Sequence, residues 1–334
     1  MGYIVTCFNG QPKSGKEGGK AREKEGNGEW GIGNGEPFPS SLRSIKPVLF
    51  IIAVASNRQN PYSPFPIPHS RTTPAPLNIE EYERMYEMED TYWWFQGRMR
   101  IVESMLAGFM KAEPRPGRVL DVGCGTGLML ERLHRWEPIG LDFSPLALDF
   151  SRRRGVKNLV RGDVVKLPFQ DNSIDLIMAL DLIEHIERDD LMAAEFFRVL
   201  RPGGVLMATV PAHQSLWSDH DIALHHFRRY SYSGFKSLLQ NVGFKPVKYS
   251  YGISFTYLPI VIFRKLQLFW QRSTGIHGPA RPKTHLIPLP WFINKPLIGV
   301  LHVEAVLLKK MNLPIGVSLM TLCEKPAESA MGLP

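Results

Sequence analysis

A glycine-rich turn follows the apolar run that begins at Val119, in the segment VLDVGCGTG. Its glycines are Gly123, Gly125 and Gly127. Glycine adopts backbone angles that are closed to other residues, and it lets a ligand come close to the backbone. The residues from Leu128 onward have a helical pattern, and the first turn of a helix offers unpaired N–H groups. The segment therefore predicts a site for a nucleotide-like ligand.

Two features separate this turn from the turn of dinucleotide-binding enzymes. The dinucleotide fingerprint needs its third glycine at position 128, where this chain has Leu128. Asp121, just before the turn, would repel a pyrophosphate but suits the ammonium group of an amino acid. Together they favour S-adenosylmethionine (SAM) over a nicotinamide cofactor, and a nicotinamide oxidoreductase remains the less favoured alternative.

Acidic residues also end the next apolar runs. Asp142 ends the second run and can accept from both hydroxyls of a ribose. Asp163 and Val164 follow the third run, where they can contact the amine and ring of an adenine. Asp181 follows the fourth run. A single aspartate at such a place is more often a helix cap. However, the carboxyl ends of parallel strands share one edge of a sheet, so four in this order predict one ligand site.

The segment PAHQSLWSDHDIALHHFRRYS follows the fifth apolar run and is rich in polar residues. Methyl transfer from a sulfonium needs a base only when the acceptor must lose a proton, and histidine suits that role near neutral pH. We predict His220, His226 or His185 as the base. The alternative is that these side chains, with their neighbours, hold the segment to the domain by hydrogen bonds; the neighbours are His213, Asp221 and His225.

Four residues are candidates for contact with the acceptor. The guanidinium groups of Arg228 and Arg229 suit a phosphate or a carboxylate. Tyr230 follows them, and Trp94 lies in the aromatic run YWWF at 92–95. Those aromatics are predicted either to cover the ligand or to pack in the core, which is the commoner fate of bulky aromatic side chains.

The elements that position these residues alternate in type. Apolar runs interleaved with helical stretches indicate right-handed βαβ crossovers and a parallel sheet. We predict strands at 118–123, 138–142, 158–163, 174–180, 204–211, 246–252 and 317–325. We predict helices from Asn78 through 95 and over 99–111, 128–136, 145–154, 189–200, 233–241 and 296–310. The stretch 253–270 mixes apolar residues with Arg264 and Lys265, and Pro259 is predicted to interrupt it.

The rest of the chain divides by composition. Residues 1–77 are rich in Gly, Pro, Ser and charge, which predicts a disordered extension, with a membrane-touching anchor at 48–54 as the alternative. The domain is predicted to span 78–327, and 328–334 to form a flexible tail. No run reaches the roughly 18 consecutive apolar residues of a membrane span. The formal charge of +8 permits anionic partners. The three cysteines are far apart, so we expect no metal site and no disulfide.

The motifs resemble those of the class I SAM-dependent methyltransferases. The resemblance rests on VLDVGCGTG, GLDFS, GDVVKLPFQDNSIDLIMALDLIEHI and EFFRVLRPGGVLMATVP, and it covers 94–250 with a last strand near 316–325. It is nearest to the quinone and small-molecule methyltransferases. Within that group the chain is most similar to uncharacterised bacterial-type members that carry YWWF, here at 92–95, and HxRRY, here at 226–230.

This resemblance implies an α/β, Rossmann-like fold whose seven-stranded, mostly parallel sheet has an antiparallel last strand and helices on both faces. A helical insertion, about 253–314, would precede that strand. The cofactor implied is SAM, held by Asp121, Gly123, Gly125, Asp142, Asp163 and Val164. We predict further SAM contacts from Cys124, Gly127, Phe143 and Leu180.

The activity implied is methyl transfer to a small-molecule or lipid- or glycan-linked acceptor, with O- or C-methylation favoured over N-methylation. A SAM-binding module without activity is the alternative. We expect no specific nucleic-acid partner, because no RNA-binding module accompanies the motifs. We expect a cytoplasmic protein. A peripheral membrane contact through 253–272 stays open, because that stretch mixes aromatic, apolar and basic residues.

Overall fold

The structure is a computed structural model, and it describes residues 79–112, 117–133, 135–274 and 288–327. The predicted extension 1–77, the cap Asn78 and the tail 328–334 lie outside the described residues.

Seven strands form a single sheet in the order β3-β2-β1-β4-β5-β7-β6. Strands β1 to β5 run parallel, and β7 lies antiparallel between β5 and β6. This topology confirms the predicted fold class. The strands are β1 Arg118–Val122, β2 Glu137–Asp142, β3 Leu159–Arg161, β4 Ile174–Leu180, β5 Leu200–Pro211, β6 Lys245–Gly252 and β7 Ser318–Glu324.

Helices cover both faces of the sheet. They are α1 Ile79–Met88, α2 Trp93–Ala112, α3 Leu128–Arg132, α4 Pro145–Arg153, α5 Asp189–Val199, α6 Asp219–Ala223, α7 Tyr232–Asn241, α8 Tyr257–Thr274 and α9 Trp291–Lys310. Side chains of a strand point alternately to opposite faces, so β4 feeds two cores. Ile177 packs in the core that α5 and α7 cover, and Leu176 packs in the core that α2 and α9 cover.

The first predicted helix was wrong at its end, because the chain leaves the helix at Met88 and starts α2 at Trp93. The side-chain Oδ1 of Asn294 accepts from the backbone N–H of Trp93 at 2.9 Å. Its amide donates to the carbonyl of Thr91 at 2.8 Å. A residue distant in sequence thus caps α2, which no local pattern indicates.

The predicted interruption at Pro259 was also wrong. Pro259 is the third residue of α8, and a proline in the first helical turn lacks only an N–H that has no intrahelical partner there. In α9 the helix begins at Trp291, five residues before the predicted start, and contains Pro296. By length and composition α9 is able to cross a membrane, although part of its surface is buried in the core against α2.

Candidate functional site at the carboxyl edge of the sheet

The glycine turn joins β1 to α3 in the way the sequence predicts. Gly123, Gly125 and Gly127 have φ of 70°, 54° and 81°, values that other residues rarely adopt. A Cβ on Gly127 would lie 3.1 Å from the backbone Cα of Ser151. The turn is tied to β2, because the N–H of Gly123 donates to the carbonyl of Leu141 at 2.7 Å.

Asp142 lies directly against this turn. Its Oδ2 accepts from the N–H of Gly125 at 3.0 Å, and its Oδ1 accepts from the N–H of Ser144 at 2.8 Å. Burial raises the pKa of the Asp142 carboxyl, and these backbone donors oppose that rise. Each oxygen keeps a lone pair for a further donor. Contact with the two ribose hydroxyls therefore stays a prediction that this geometry permits.

Asp121 is buried near the end of β1, where its carboxyl group interacts electrostatically with that of Asp142. Burial raises its pKa to about 7, with a smaller rise from Asp142 and an opposing effect from Arg98. The two carboxyl groups thus sense each other across the turn. An ammonium group nearby would favour the charged form of Asp121, which is the partnership that the sequence predicts.

The remaining predicted SAM contacts follow the neighbouring strands. Asp163 comes after β3, and its Oδ1 accepts from the N–H of Val165 at 3.1 Å. Val164 is buried, whereas Leu180, at the end of β4, is half-buried. Phe143 is exposed at the end of β2. Cys124 is a buried thiol within the turn, and its Sγ lies 3.8 Å from Oγ of Ser151.

Helix α2 and the turn after α1 contribute residues that were not predicted from the sequence. The guanidinium group of Arg98 on α2 forms an ion pair with Asp181, next to the end of β4. Glu89 accepts from the hydroxyl of Thr126 in the glycine turn, and it pairs with Arg154 at 2.7 Å. These contacts join α2 to the end of β4, and the residue after α1 to the glycine turn. The participants lie far apart in the sequence and form no motif, so no local signal could have found them.

The histidine segment is organised around one buried carboxylate, Asp221. Its Oδ1 lies 3.0 Å from Nδ1 of His226 and accepts from Nε of Arg229 at 2.7 Å. Its Oδ2 accepts from the N–H of Ser218 at 2.9 Å. Despite burial, the hydrogen bonds from His226 and Arg229 and the positive charge of Arg229 hold the pKa of Asp221 well below its usual range.

The predicted acceptor residues all have partners inside the domain. Arg228 and the hydroxyl of Tyr230 both donate to Oδ2 of Asp189, at 2.7 Å each. Arg229 donates to Asp221, as described above. Trp94 packs edge to face on Trp93 with ring centroids 5.6 Å apart, beside the core under α2. These contacts fit the alternatives of loop attachment and core packing better than contact with an acceptor.

The three candidate bases differ in their surroundings. Burial lowers the pKa of both His220 and His185 to about 4, so both rings are neutral at pH 7 and weakly basic. The ring of His226 meets the ring of His185 edge to face, with centroids 4.6 Å apart. Glu184, between β4 and α5, is buried beside them, and burial raises the pKa of its carboxyl well above the usual range.

Comparison with known proteins assigns the residues at this edge of the sheet to a protein family. A model described as a methyltransferase domain matches residues 120–208, which include the glycine turn and the ends of β2, β3 and β4. Residues 120–208 form a class I, SAM-dependent methyltransferase domain. SAM is the cofactor of this domain.

The methyltransferase domain has relatives with different acceptors. The chain is 41% identical over 114 residues to a malonyl-[acyl-carrier protein] O-methyltransferase of Methylococcus capsulatus, covering 32% of this chain and 42% of that protein. It is 30% identical to a probable S-adenosylmethionine-dependent methyltransferase of Mycolicibacterium smegmatis, covering 47% and 61%. It is 36% identical to the probable tRNA methyltransferase 9B of Mus musculus, covering 41% and 31%.

Among solved structures, a SAM-dependent methyltransferase of Archaeoglobus fulgidus is 17% identical, with a TM-score of 0.45, over 68% of this chain and 94% of that chain. The chain spans 42% and 61% of the lengths of the first two curated relatives. Residues after 208 lie outside the family model.

Proposed function

We propose that the chain transfers a methyl group from SAM to a small-molecule or lipid-linked acceptor, with an oxygen or carbon atom favoured over nitrogen. The observation that carries this proposal is the contact between the glycine turn and Asp142, whose carboxylate accepts a hydrogen bond from the N–H of Gly125. Asp121 adds a buried acid beside the same turn. An adenosyl group attached to an amino acid needs these two acids on one side of one turn.

The chemistry asks mainly for positioning. The methyl carbon leaves sulfur as a new bond forms to the acceptor, and sulfur keeps the electron pair as a neutral thioether. Holding donor and acceptor in line lowers the barrier without a strong base. An inactive SAM-binding module would keep the same pocket, so only transfer of the methyl group separates these two alternatives.

The class of acceptor is suggested by the exposed faces of α8 and α9. On α8, large apolar side chains recur at helical spacing and point into solvent; they are Leu258, Ile262, Leu266, Phe269 and Trp270. On α9 the exposed set is Trp291, Phe292, Val300, Val303, Val306 and Leu307. Large exposed apolar side chains that recur along a helix in this way mark a contact with a partner or a membrane.

The charge of this region favours an anionic membrane. Residues 253–317 contain eight basic residues and one acidic residue, so they carry +7 of the formal +8 of the chain. The acidic residue is Glu304, which is buried and accepts from the backbone N–H groups of Ile253 and Ser254. Exposed aromatic and aliphatic side chains together with an excess of lysine and arginine characterise interfacial helices.

We therefore propose that α8 and α9 rest in the surface of a membrane with anionic lipids, where a lipid-linked or hydrophobic acceptor reaches the edge of the sheet. The cytoplasm remains the proposed compartment, and the described cysteines, Cys124 and Cys323, are free thiols.

The membrane contact predicts a loss of binding when the stripe on α8 is made polar. The double variant Phe269→Ser, Trp270→Ser should bind vesicles of anionic phospholipid at least about tenfold more weakly, because two large apolar side chains leave the interface. Leu191→Ser is the matched control, since Leu191 is exposed on α5, away from this stripe. Co-sedimentation measures the binding. No binding of the unchanged chain to anionic vesicles would end the proposal.

The activity itself is tested with SAM labelled in its methyl group and fractionated extract of the source organism. We expect label in the lipid fraction or the small polar fraction. Label in the RNA fraction would instead assign the acceptor class of the tRNA methyltransferase relative. SAM binding without label in any fraction would favour the inactive module, and titration with NADH would expose an oxidoreductase.

A further inference from the structure

Three side chains that can bind a metal converge behind the end of β4. Glu184 and His185 lie in the short 3₁₀ turn Ile183–His185, and His226 lies in the segment after α6. One ligating atom from each lies within 4.8 Å of the other two. Nε2 of His226 is 4.0 Å from Oε1 of Glu184.

The atoms that face each other are acceptors. Asp221 is a charged acceptor on Nδ1 of His226, so that nitrogen carries the proton and Nε2 keeps a lone pair. The ring of His185 makes a hydrogen bond with the backbone of Leu224, which leaves its other nitrogen for a ligand. Glu184 is 1% exposed, and its Oε2 has no hydrogen-bond partner within the described residues.

The nearest cationic side chains are engaged with other acids. Arg98 pairs with Asp181, and Arg229 pairs with Asp221. Neither donates to the carboxylate of Glu184 in the described part of the chain. A buried group of acceptors without a donor is costly unless a cation or a shared proton compensates it.

We propose that Glu184, His185 and His226 form a binding site for a divalent transition-metal ion. Two imidazoles and one carboxylate occur together in catalytic zinc sites and in non-haem iron sites, which keep a further position open. Asp221 and the backbone of Leu224 supply the outer hydrogen bonds that orient metal-binding histidines.

The geometry needs only a small contraction. Bonds of 2.0–2.1 Å in a tetrahedral site place ligand atoms about 3.3 Å apart, so the pair at 4.0 Å closes by about 0.7 Å and no pair closes by more than about 1.5 Å. The expectation of no metal came from the spacing of the cysteines. The ligands proposed here come from a 3₁₀ turn and from a loop distant in sequence. Such a site has no characteristic spacing, so the cysteine spacing gave no information about it.

A bound ion at this site would also take part in the proposed methyl transfer. The cluster follows β4 at the same edge of the sheet as the glycine turn. An ion there would bind an oxygen of the acceptor and lower the pKa of its hydroxyl group, whose proton passes to water. This role rests on the proposed methyl transfer, whereas binding of the ion does not.

Calorimetry with Zn²⁺ and visible absorption with Co²⁺ test the site in the full chain after treatment with a chelator. We expect one bound ion and a rise in the thermal midpoint with Zn²⁺. Glu184→Gln and His226→Gln should each weaken binding at least about tenfold. The matched control is His225→Asn, which removes an exposed histidine from the same segment at a φ of 57°, which asparagine tolerates.

The outcomes separate the metal from a shared proton. A chain that binds neither ion, or a Glu184→Gln variant that binds Zn²⁺ as tightly as the unchanged chain, would overturn the site. Co²⁺ spectra with strong thiolate bands would assign the ion to a cysteine and overturn it as well. Unchanged SAM affinity in the Glu184→Gln variant would show that the variant is correctly folded. Metal binding by a chain that does not bind SAM would refute the proposed function alone.

Discussion

Replacing Asp142 by alanine is expected to weaken SAM binding about a hundredfold or more and to leave the fold in place. Two hydrogen bonds from ribose hydroxyls to a carboxylate contribute about 1.5–3 kcal/mol each, and about 2.7 kcal/mol corresponds to a factor of a hundred. The variant also frees the N–H of Gly125, so the glycine turn loses one of its attachments. Calorimetry measures the affinity, and circular dichroism follows the fold.

Asp149→Ala is the matched control for this experiment. Asp149 is an exposed acid on α4, the helix that follows Asp142, and it pairs with Arg152 on the surface. It should bind SAM as the unchanged chain does. Equal affinities for Asp142→Ala and Asp149→Ala would remove Asp142 from the cofactor site, and with it the observation on which the proposed function depends.

The sheet and the glycine turn could be predicted because their signals are local. Strands such as β4 are apolar runs, and the acids near the ends of β1 and β2 can be recognised without a distant partner. The glycines at 123, 125 and 127 indicate positive φ angles from residue type alone, and the structure has them. The number of strands and the antiparallel β7 came from the family resemblance, and the topology confirms them; the order of the strands was not predicted.

The parts that escaped prediction depend on contacts between distant residues. The start of α2 is set by Asn294, which lies 201 positions from Trp93. The partner of Asp181 is Arg98, which lies 83 positions away. Nothing in the segment FRRY shows that Arg228 will reach Asp189 instead of a ligand. Such pairings are decided by the packed fold, so composition and spacing leave several partners equally open.

Asp221 carries the second large effect, and this effect concerns stability. Asp221→Asn is expected to lower the free energy of unfolding by about 3–5 kcal/mol, because the buried carboxylate that balances the charge of Arg229 and accepts from His226 is removed while both donors stay buried. For a domain of this size, that corresponds to a fall in the thermal midpoint on the order of 10 °C. Asp190→Asn is the control, since Asp190 forms an exposed pair with Arg188 and its loss should leave the midpoint unchanged.

The carboxylate of Asp221 also makes the stability of the folded chain depend on pH. Its pKa in the folded chain lies below the ordinary value of 3.8, so the folded state binds fewer protons at this site than the unfolded state does. Its contribution is therefore complete well above pH 3.8, and it is lost progressively as the pH falls below about 5. Thermal midpoints of the unchanged chain and of Asp221→Asn should converge toward acid pH, as measured by differential scanning calorimetry. Parallel curves would mean that Asp221 does not hold the segment between α6 and α7 in place.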